Sequence, residues 1–438
     1  MVGWWWGCSD IGFRIGLIFG VITDPPALLR AAFDAAVASA QAEQLTPHLQ
    51  ALPDCPGETV ILAVGKAAAP MARVASQIFP AARGMVVAPH GHALETHLTP
   101  YFASHPVPDD GSLAASHAAM QLAQSLRPQD RLLCLISGGG SALLSAPLPG
   151  MDPALKRQIH QELLASGATI AELNTVRKQL SLVKGGRLAK ACAGTVLNFL
   201  ISDVPGDAPE FIASGPTVAA HTTQADAWAV VTRYGLPSAD AIRPWLTDPQ
   251  WATPDAGDPC FSSVQTTLIA TPQQALQAAA TVVASAGVTP WLVSDRLEGE
   301  SEAVAPVFAA VAQSLQADTT PLSPPVCVLS GGETTVRVTG TGVGGPNVQF
   351  LLALLVALEG TPGIWAMACD TDGVDGAKGN AGAWIGPESL AKAQALGLDP
   401  KRALSDQDAH HFFEALGQAV ITGPTGTNVN DFRAILVL

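Results

Sequence analysis

Charge is scarce in this 438-residue chain, and positive charge is the scarcest of all. Asp, Glu, Lys and Arg together make up 14% of the residues, 23 Lys and Arg stand against 37 Asp and Glu, and the formal net charge is −14. Without a general basic field to neutralise phosphates, nucleic acid is excluded as the main partner, although a local basic pocket could hold one small anion. The seven cysteines are scattered, with no C-x-x-C pair and no zinc-type spacing. Cys134, Cys327 and Cys369 each sit inside an apolar run and read as reduced core residues, which fits a cytoplasmic protein. No run reaches the length of a membrane span: the apolar stretch 15–22 is too short, and Arg14 is the only cation a signal peptide could use there. Residues 1–23, with Trp4-Trp5-Trp6, read as a loosely packed extension. A phosphate loop of the G-x-x-x-x-G-K-S/T type is also missing after any strand.

What is abundant is apolar residue, 48% of the chain, in a length that suggests two or three domains at roughly 150 residues each. From Asp24 onward a strand, a Gly-rich turn and an Ala-rich helix repeat. Strands are predicted at 60–64, 85–88, 132–136, 196–201, 291–293, 326–329 and 364–368, with helices such as 25–42 and 303–316 between them. Such alternation predicts an α/β protein with parallel sheet covered by helices, whose ligands bind where loops leave the carboxyl ends of strands. Pro- and Asp-rich breaks at 235–262 and 318–325 divide the chain into 24–255, a connecting α/β segment 256–324, and a compact unit 325–438.

Every motif with chemical promise follows a strand. Ser137-Gly138-Gly139-Gly140-Ser141 comes directly after Leu132–Ile136, and three successive glycines let backbone N–H groups approach an anion closely while Ser141 caps the next helix. Lys66 follows 60–64 among small residues, where an ammonium could neutralise a transferring phosphoryl group. Arg177, Lys178, Lys184 and Arg187 concentrate positive charge in an acidic chain. If helical, this stretch puts Arg177, Ser181 and Lys184 on one face, suited to a carboxylate or to phosphates. Asp203 stands just past 196–201, and Asp370, Asp372 and Asp375 follow 364–368. Carboxylates so placed could hold Mg²⁺ or accept a hydroxyl proton. Two Gly/Ser/Thr loops, with Gly331, Gly332 and Glu333 in one and Thr425 and Asn428 in the other, could surround phosphate or ribose. His90 and His92 make no metal site, and the role of His105 stays open.

A rival reading, an NAD(P)H-dependent reductase, rests on Gly340-Thr341-Gly342-Val343-Gly344-Gly345, which matches G-x-G-x-x-G between a strand-like 335–338 and a helix-like 348–358. Arg337 interrupts that strand, Pro346 removes an N–H where the helix should bind pyrophosphate, and Glu359 lies at a helix end.

In their order from Asp24 to Leu438, the segments around Lys66, Ser137–Leu144, Asn174–Lys178, Ser202–Asp207, Ser330–Glu333, Asp372–Gly376 and Thr422–Asn428 resemble the glycerate 2-kinases, whose C-terminal part is the MOFRL domain. Some members of that family are labelled hydroxypyruvate reductase. The resemblance implies a Rossmann-like N-terminal domain, a MOFRL-type C-terminal domain and an active site in the cleft between them. It further implies transfer of the γ-phosphoryl group of ATP, with Mg²⁺, to D-glycerate or a closely related small hydroxy acid. A homodimer is compatible with it, and no membrane or nucleic-acid partner is implied. On that basis Lys66, Arg177 and Asp203 are the expected catalytic residues. Phosphate and substrate contacts are expected from 137–141, Lys178, Lys184, Gly331, Gly332, Glu333, Asn347, Thr425 and Asn428, and metal ligation from Asp203, Asp372 and Asp375. The family's expected arginine in a Gly-Gly-Arg-Asn segment falls on Pro346, so the missing charge must come from Arg337, Arg177 or Lys178, or else rate and substrate preference differ. A degenerate sugar-acid binding protein is the non-enzymatic alternative.

Overall fold

The structure is a computed structural model that describes residues 17–18, 21–376 and 378–438; the expectation for the extension 1–23 falls almost wholly outside the described residues. Two six-stranded sheets organise the chain. The first contains β1 (Thr59–Val64), β2 (Arg83–Pro89), β3 (Thr99–Ala103), β4 (Arg131–Ile136), β5 (Thr195–Ile201) and β6 (Val264–Ala270). All five pairings are parallel and the spatial order is β3-β2-β1-β4-β5-β6. This is the doubly wound order of dinucleotide-type folds, and its switch point lies between β1 and β4. The strands are continuously apolar because both faces are covered: along β1, Ile61 and Ala63 enter one core, and Val60, Leu62 and Val64 enter the other.

The second sheet holds β7 (Thr289–Glu300), β8 (Val326–Thr335), β9 (Ile364–Asp370), β10 (Gly382–Ile385), β11 (Ala419–Val420) and β12 (Asp431–Val437), ordered β11-β10-β9-β12-β8-β7. Here the expectation of parallel sheet fails. Only β7–β8 is parallel, because the last strand returns between β9 and β8 and runs antiparallel to both. β7 runs from 289 to 300 rather than over three residues, and β8 continues through Ser330-Gly331-Gly332-Glu333, a stretch read from sequence as a loop. The chain keeps that ladder by a register shift around Ser330. Gly332 makes the shift possible: at φ +107°, a side chain there would collide with the Leu297 carbonyl.

The segment between the sheets is shared, since β6 closes the first and β7 opens the second. The helix Pro25–Ala38, first in sequence order, packs on the helix Pro272–Ser285 and on the second sheet. Its Phe33 ring lies 5.6 Å from that of Phe432 in β12. One buried cluster consequently runs from Ile61 and Ala63 through Leu29, Phe33 and Leu276 to Leu329 and Phe432, joining both sheets on one side of the molecule. Cys134, Cys327 and Cys369 are buried free thiols inside β4, β8 and β9. Among the described residues no helix is long and apolar enough to cross a membrane. Phe33→Ala empties the point where the early helix grips the second sheet, and we expect it to cost about 3–5 kcal/mol in denaturant unfolding.

Candidate functional site

The switch point of the first sheet faces the ends of β7, β8, β9 and the start of β12 across a cleft of about 480 Å³, which narrows to a polar recess of about 100 Å³. Gly65 and Lys66 leave β1 alongside Ser137 and Gly138 leaving β4. The two turns are stitched by Lys66 N–H donating to the Gly138 carbonyl (2.9 Å) and Ala67 N–H donating to Ser137 Oγ (3.0 Å). Gly138 is obligatory for packing: a Cβ there would lie 2.0 Å from Asp203 Oδ2 and 2.8 Å from Asn428 Nδ2. Gly139, at φ +80°, donates its N–H to the Asp203 carboxylate and lets both His105 and the Lys66 stem come within about 3.4 Å of where a Cβ would stand. The glycine loop thus brings Lys66, Asp203 and His105 together. His105, whose role the sequence left open, is exposed in both the cleft and the recess.

From the second sheet, Asp372 reaches across and its Oδ2 accepts from Lys66 Nζ at 2.6 Å. Burial opposes the lysine's charge, but Asp372, Asp370 and Asp203 outweigh it and raise its pKa above the ordinary value. Asp370, the last residue of β9, is directly opposite Asp431, the first of β12. Asp431 has a partner, the buried Arg433 guanidinium, and also accepts from Asn347 Nδ2 at 2.6 Å and from Thr334 N–H at 3.0 Å. Among the described residues Asp370 forms no ion pair, although Lys66 is near enough to favour its charge. Burial, then Asp372 and Asp431, push its carboxyl well above the usual range. Asp203 is raised for the same first reason, tempered by Lys66. Glu333, exposed toward the cleft from the shifted end of β8, is pushed up to about 7 by the surrounding protein and then by Asp203 and Asp431. Burial, then Lys66, lowers the pKa of His105, so its imidazole is neutral near pH 7.

Several residues expected at this site have other employment. Asp375 is buried, and its two oxygens accept from the N–H groups of Asn347 (3.0 Å) and Val348 (2.8 Å). It therefore holds the start of the helix Pro346–Leu358 and lines neither the cleft nor the recess. Asn347 is buried with it, tied to Asp375 and Asp431. Thr425 donates its hydroxyl to the Thr371 carbonyl and its N–H to the Asp372 carbonyl, so it shapes the aspartate turn. Lys178 is buried in an ion pair with Glu210 (2.9 Å) and stacked on Phe211. The helix Ile170–Gln179 ends before Ser181, so the one-face arrangement with Lys184 does not exist. Lys184 is nonetheless close by: its buried ammonium donates to the carbonyl and hydroxyl of Ser141 (2.5 and 2.7 Å), behind the glycine loop. Arg187 donates to the carbonyls of Lys178, Gln179 and Trp251. Arg177 donates to Ser141 Oγ (3.2 Å) and lines the cleft, without a carboxylate partner. Arg337 is exposed on the loop after β8. Of the three cations offered to replace the arginine absent at Pro346, Arg177 alone borders the cleft. Gly331 and Gly332 lie inside β8.

The glycine-rich segment 340–345 is not free to bind pyrophosphate. β8 stops at Thr335, and the N–H groups of Thr339 and Gly340 donate to Gln407 Oε1, that of Gly342 to the Asp406 carbonyl and that of Val343 to Asp408 Oδ1. Side chains at Gly340 or Gly342 would strike residues 406–408.

A doubly wound unit that brings Lys66 and Arg177 to a cleft, facing a mixed sheet across a carboxylate floor, is a two-unit α/β architecture shared with known proteins. Residues 28–247 match a family described as a domain of unknown function, DUF4147, and residues 326–431 match the MOFRL family. A putative hydroxypyruvate reductase of Agrobacterium vitis is 45% identical over 417 residues, covering 94% of each chain. The D-glycerate 2-kinase of Thermotoga maritima is 34% identical over 384 residues, 86% of this chain and 90% of that one. The crystal structure of a Thermotoga maritima glycerate kinase superposes with a TM-score of 0.85 at 31% identity, covering 94% of this chain and 99% of the other. The chain belongs to the glycerate kinase family with DUF4147 and MOFRL parts.

A carboxylate whose folded pKa lies above its unfolded value holds a proton that unfolding releases, so its contribution is present at low pH and lost as pH rises through the folded pKa. Asp370→Asn removes that loss while keeping an acceptor for Asp372 N–H (2.8 Å). We expect Tm to rise by about 2–4 °C at pH 7.5, as roughly 1 kcal/mol does in domains of this size, with the gain disappearing near pH 4 in scanning calorimetry.

Proposed function

We propose that the protein transfers the γ-phosphoryl group of ATP to the hydroxyl of D-glycerate or a closely related small hydroxy acid. The observation that carries this reading is the meeting of Lys66 and Asp203 with Asp370 and Asp372 at the mouth of the glycine loop, in a family whose relatives include a D-glycerate 2-kinase. The recess is the size of a three-carbon acid, and Lys66, Asn428 and Asn430 supply donors for its oxygens. The Asn430 side-chain amide is buried with no partner, an unused donor at the recess wall.

In this reading Lys66 exchanges Asp372 for the phosphoryl oxygens as the substrates enter, and its ammonium neutralises charge that develops there. Asp203, held by the Gly139 N–H and raised by burial, accepts the hydroxyl proton. Neutral His105 lies on the same wall and can pass or hold that proton by hydrogen bonding. Arg177 faces the phosphate chain from the side of the first unit. The donor set suits a hard divalent cation: Asp203 and Asp370 are carboxylates of the floor with no cation paired to them, and oxygen ligands of this kind with phosphate are what Mg²⁺ prefers. Bound Mg²⁺ would supply neutralisation of the phosphate charge. Asp203 keeps its expected place as a ligand, Asp372 is assigned to Lys66, and Asp370 takes the position first given to Asp375.

The reductase reading has less support, since the N–H groups a dinucleotide would need at 339–343 are consumed by residues 406–408. The test is coupled detection of ADP with D-glycerate and Mg²⁺, beside NADH oxidation with hydroxypyruvate. We expect ADP formation and no NADH oxidation, with Lys66→Ala slowing turnover by about 10²–10³-fold while the protein stays folded. NADH oxidation without ADP formation would contradict the proposal.

A further inference from the structure

Behind Arg177, a group of basic side chains has no function in the account so far. Lys156, His160, Arg177 and Lys184 lie close enough to perturb one another, and among the described residues no carboxylate pairs with any of them. In a chain of net charge −14, an arginine and two lysines beside an imidazole, none of them paired to an acid, favour an anion. Lys156 donates only to the Ala146 carbonyl (2.7 Å), and His160 Nδ1 is buried with no hydrogen-bond partner.

Lys156, His160 and Arg177 border a separate cavity of about 310 Å³ between the loop 107–110 and the helices Pro153–Ala165 and Ile170–Gln179. Much of the remaining wall is apolar, with Leu113, Pro147, Ile159, Val176 and Leu180. Val107 and Leu164, two of the few large apolar side chains that are exposed (69% and 57%), belong to the same lining. An apolar chamber of this volume with cations at one end fits a flat ring that carries a negatively charged tail.

The cavity adjoins the cleft. Arg177 borders both; the chain passes from the cleft at His105 and Pro106 to the cavity at Val107 and Pro108, and from the cleft at Ser141 to the cavity at Ser145. The cleft in turn shares His105, Gly139, Asp203 and Glu333 with the recess that holds Lys66. Apolar chamber, arginine and phosphoryl site are therefore neighbours in that order.

We propose that this cavity receives the base and ribose of the nucleotide, with the phosphate chain running past Lys156 and Arg177 into the cleft. The inference rests on the kinase reading and extends it by giving the nucleotide a place. Burial, then Arg177 and Arg187, push the Lys156 ammonium down to about 7, and burial with Arg177, Lys184 and Lys156 pushes His160 to about 4. Facing them are the exposed Arg157 and two carboxylates, Asp110 on the rim and Asp109, which is held by His90, Ser104 and Ser112. A phosphate beside Lys156 draws its proton back, so ADP binding at pH 7.5 takes up part of a proton from solution.

Two measurements on the full chain test this. Titration calorimetry with ADP, in two buffers of different ionisation enthalpy, is run on the parent, on Lys156→Met and on Leu113→Trp, which fills the chamber from a half-buried wall. We expect proton uptake in the parent, at least tenfold weaker ADP binding in both variants, and no uptake in Lys156→Met, with KM for D-glycerate within twofold. Photolabelling of the unaltered protein with 8-azido-ATP, read by peptide mass spectrometry, needs no folded variant, and label is expected in 153–165 or 170–180. Unchanged ADP affinity in the folded variants, or label confined to residues 289–438, would overturn the placement. Failure of the kinase reading shows up separately, as a parent that binds ADP and labels at 153–180 yet forms no ADP from ATP and D-glycerate.

Discussion

Lys66 and Asp372 meet at 2.6 Å from opposite sides of the cleft, and the rest of the site is organised around that contact. The lysine leaves the central strand of a parallel sheet; the aspartate leaves β9 of a mixed one. Asp203, Asp370, Asp372, Asp431 and Glu333 crowd a floor on which Lys66 and the buried Arg433 are the compensating cations. Such a floor costs stability, because burial disfavours ionisation at Asp370 and Asp203, and like charge adds to this at Asp370. It persists because the large shared core, from Phe33 to Phe432, holds the two sheets in place beneath it. A floor short of cations is poised to accept them, which is what a metal–phosphate substrate brings.

The charges are separated in space as well as unbalanced. Carboxylates gather at the ends of the second sheet and just past β5, and basic side chains with no carboxylate partner among the described residues gather behind the glycine loop of the first unit. Ser141 is the joint between the two, taking hydrogen bonds from Lys184 and Arg177 and touching Ser214 (2.8 Å). The glycine loop thus does more than cradle an anion. It lets Asp203 and His105 approach on one side, while the residue that ends it is tied to the cations on the other.

Much of this was legible in the sequence where a residue follows a continuously apolar strand of the parallel sheet. Lys66, Ser137–Ser141 and Asp203 all do, and the rule that ligands gather at carboxyl ends of parallel strands places them together. The rule misled in the second unit because that sheet is mixed. Asp431 begins its strand, and antiparallel pairing brings that beginning beside the end of β9, where Asp370 stands. Nothing in a run of Asp-rich turn residues tells which carboxylate will turn inward to cap a helix, as Asp375 does, and which will face solvent or substrate, as Asp372 does. Lys184 was read correctly as part of a cationic cluster but by a wrong geometry, since the helix ends at Gln179 and the chain folds back to bring its ammonium to Ser141. His105 carried no signal beyond a turn-rich neighbourhood; only the fold, which lays it against Gly139, gives it a place.

The most direct test of the central claim is a crystal structure of the protein with D-glycerate, Mg²⁺ and a non-hydrolysable ATP analogue. The account predicts glycerate in the recess beside Asp203, with Lys66 Nζ moved from Asp372 onto the γ-phosphate and the metal on Asp203 and Asp370. Glycerate bound elsewhere, or Lys66 still paired to Asp372 with both substrates in place, would contradict it.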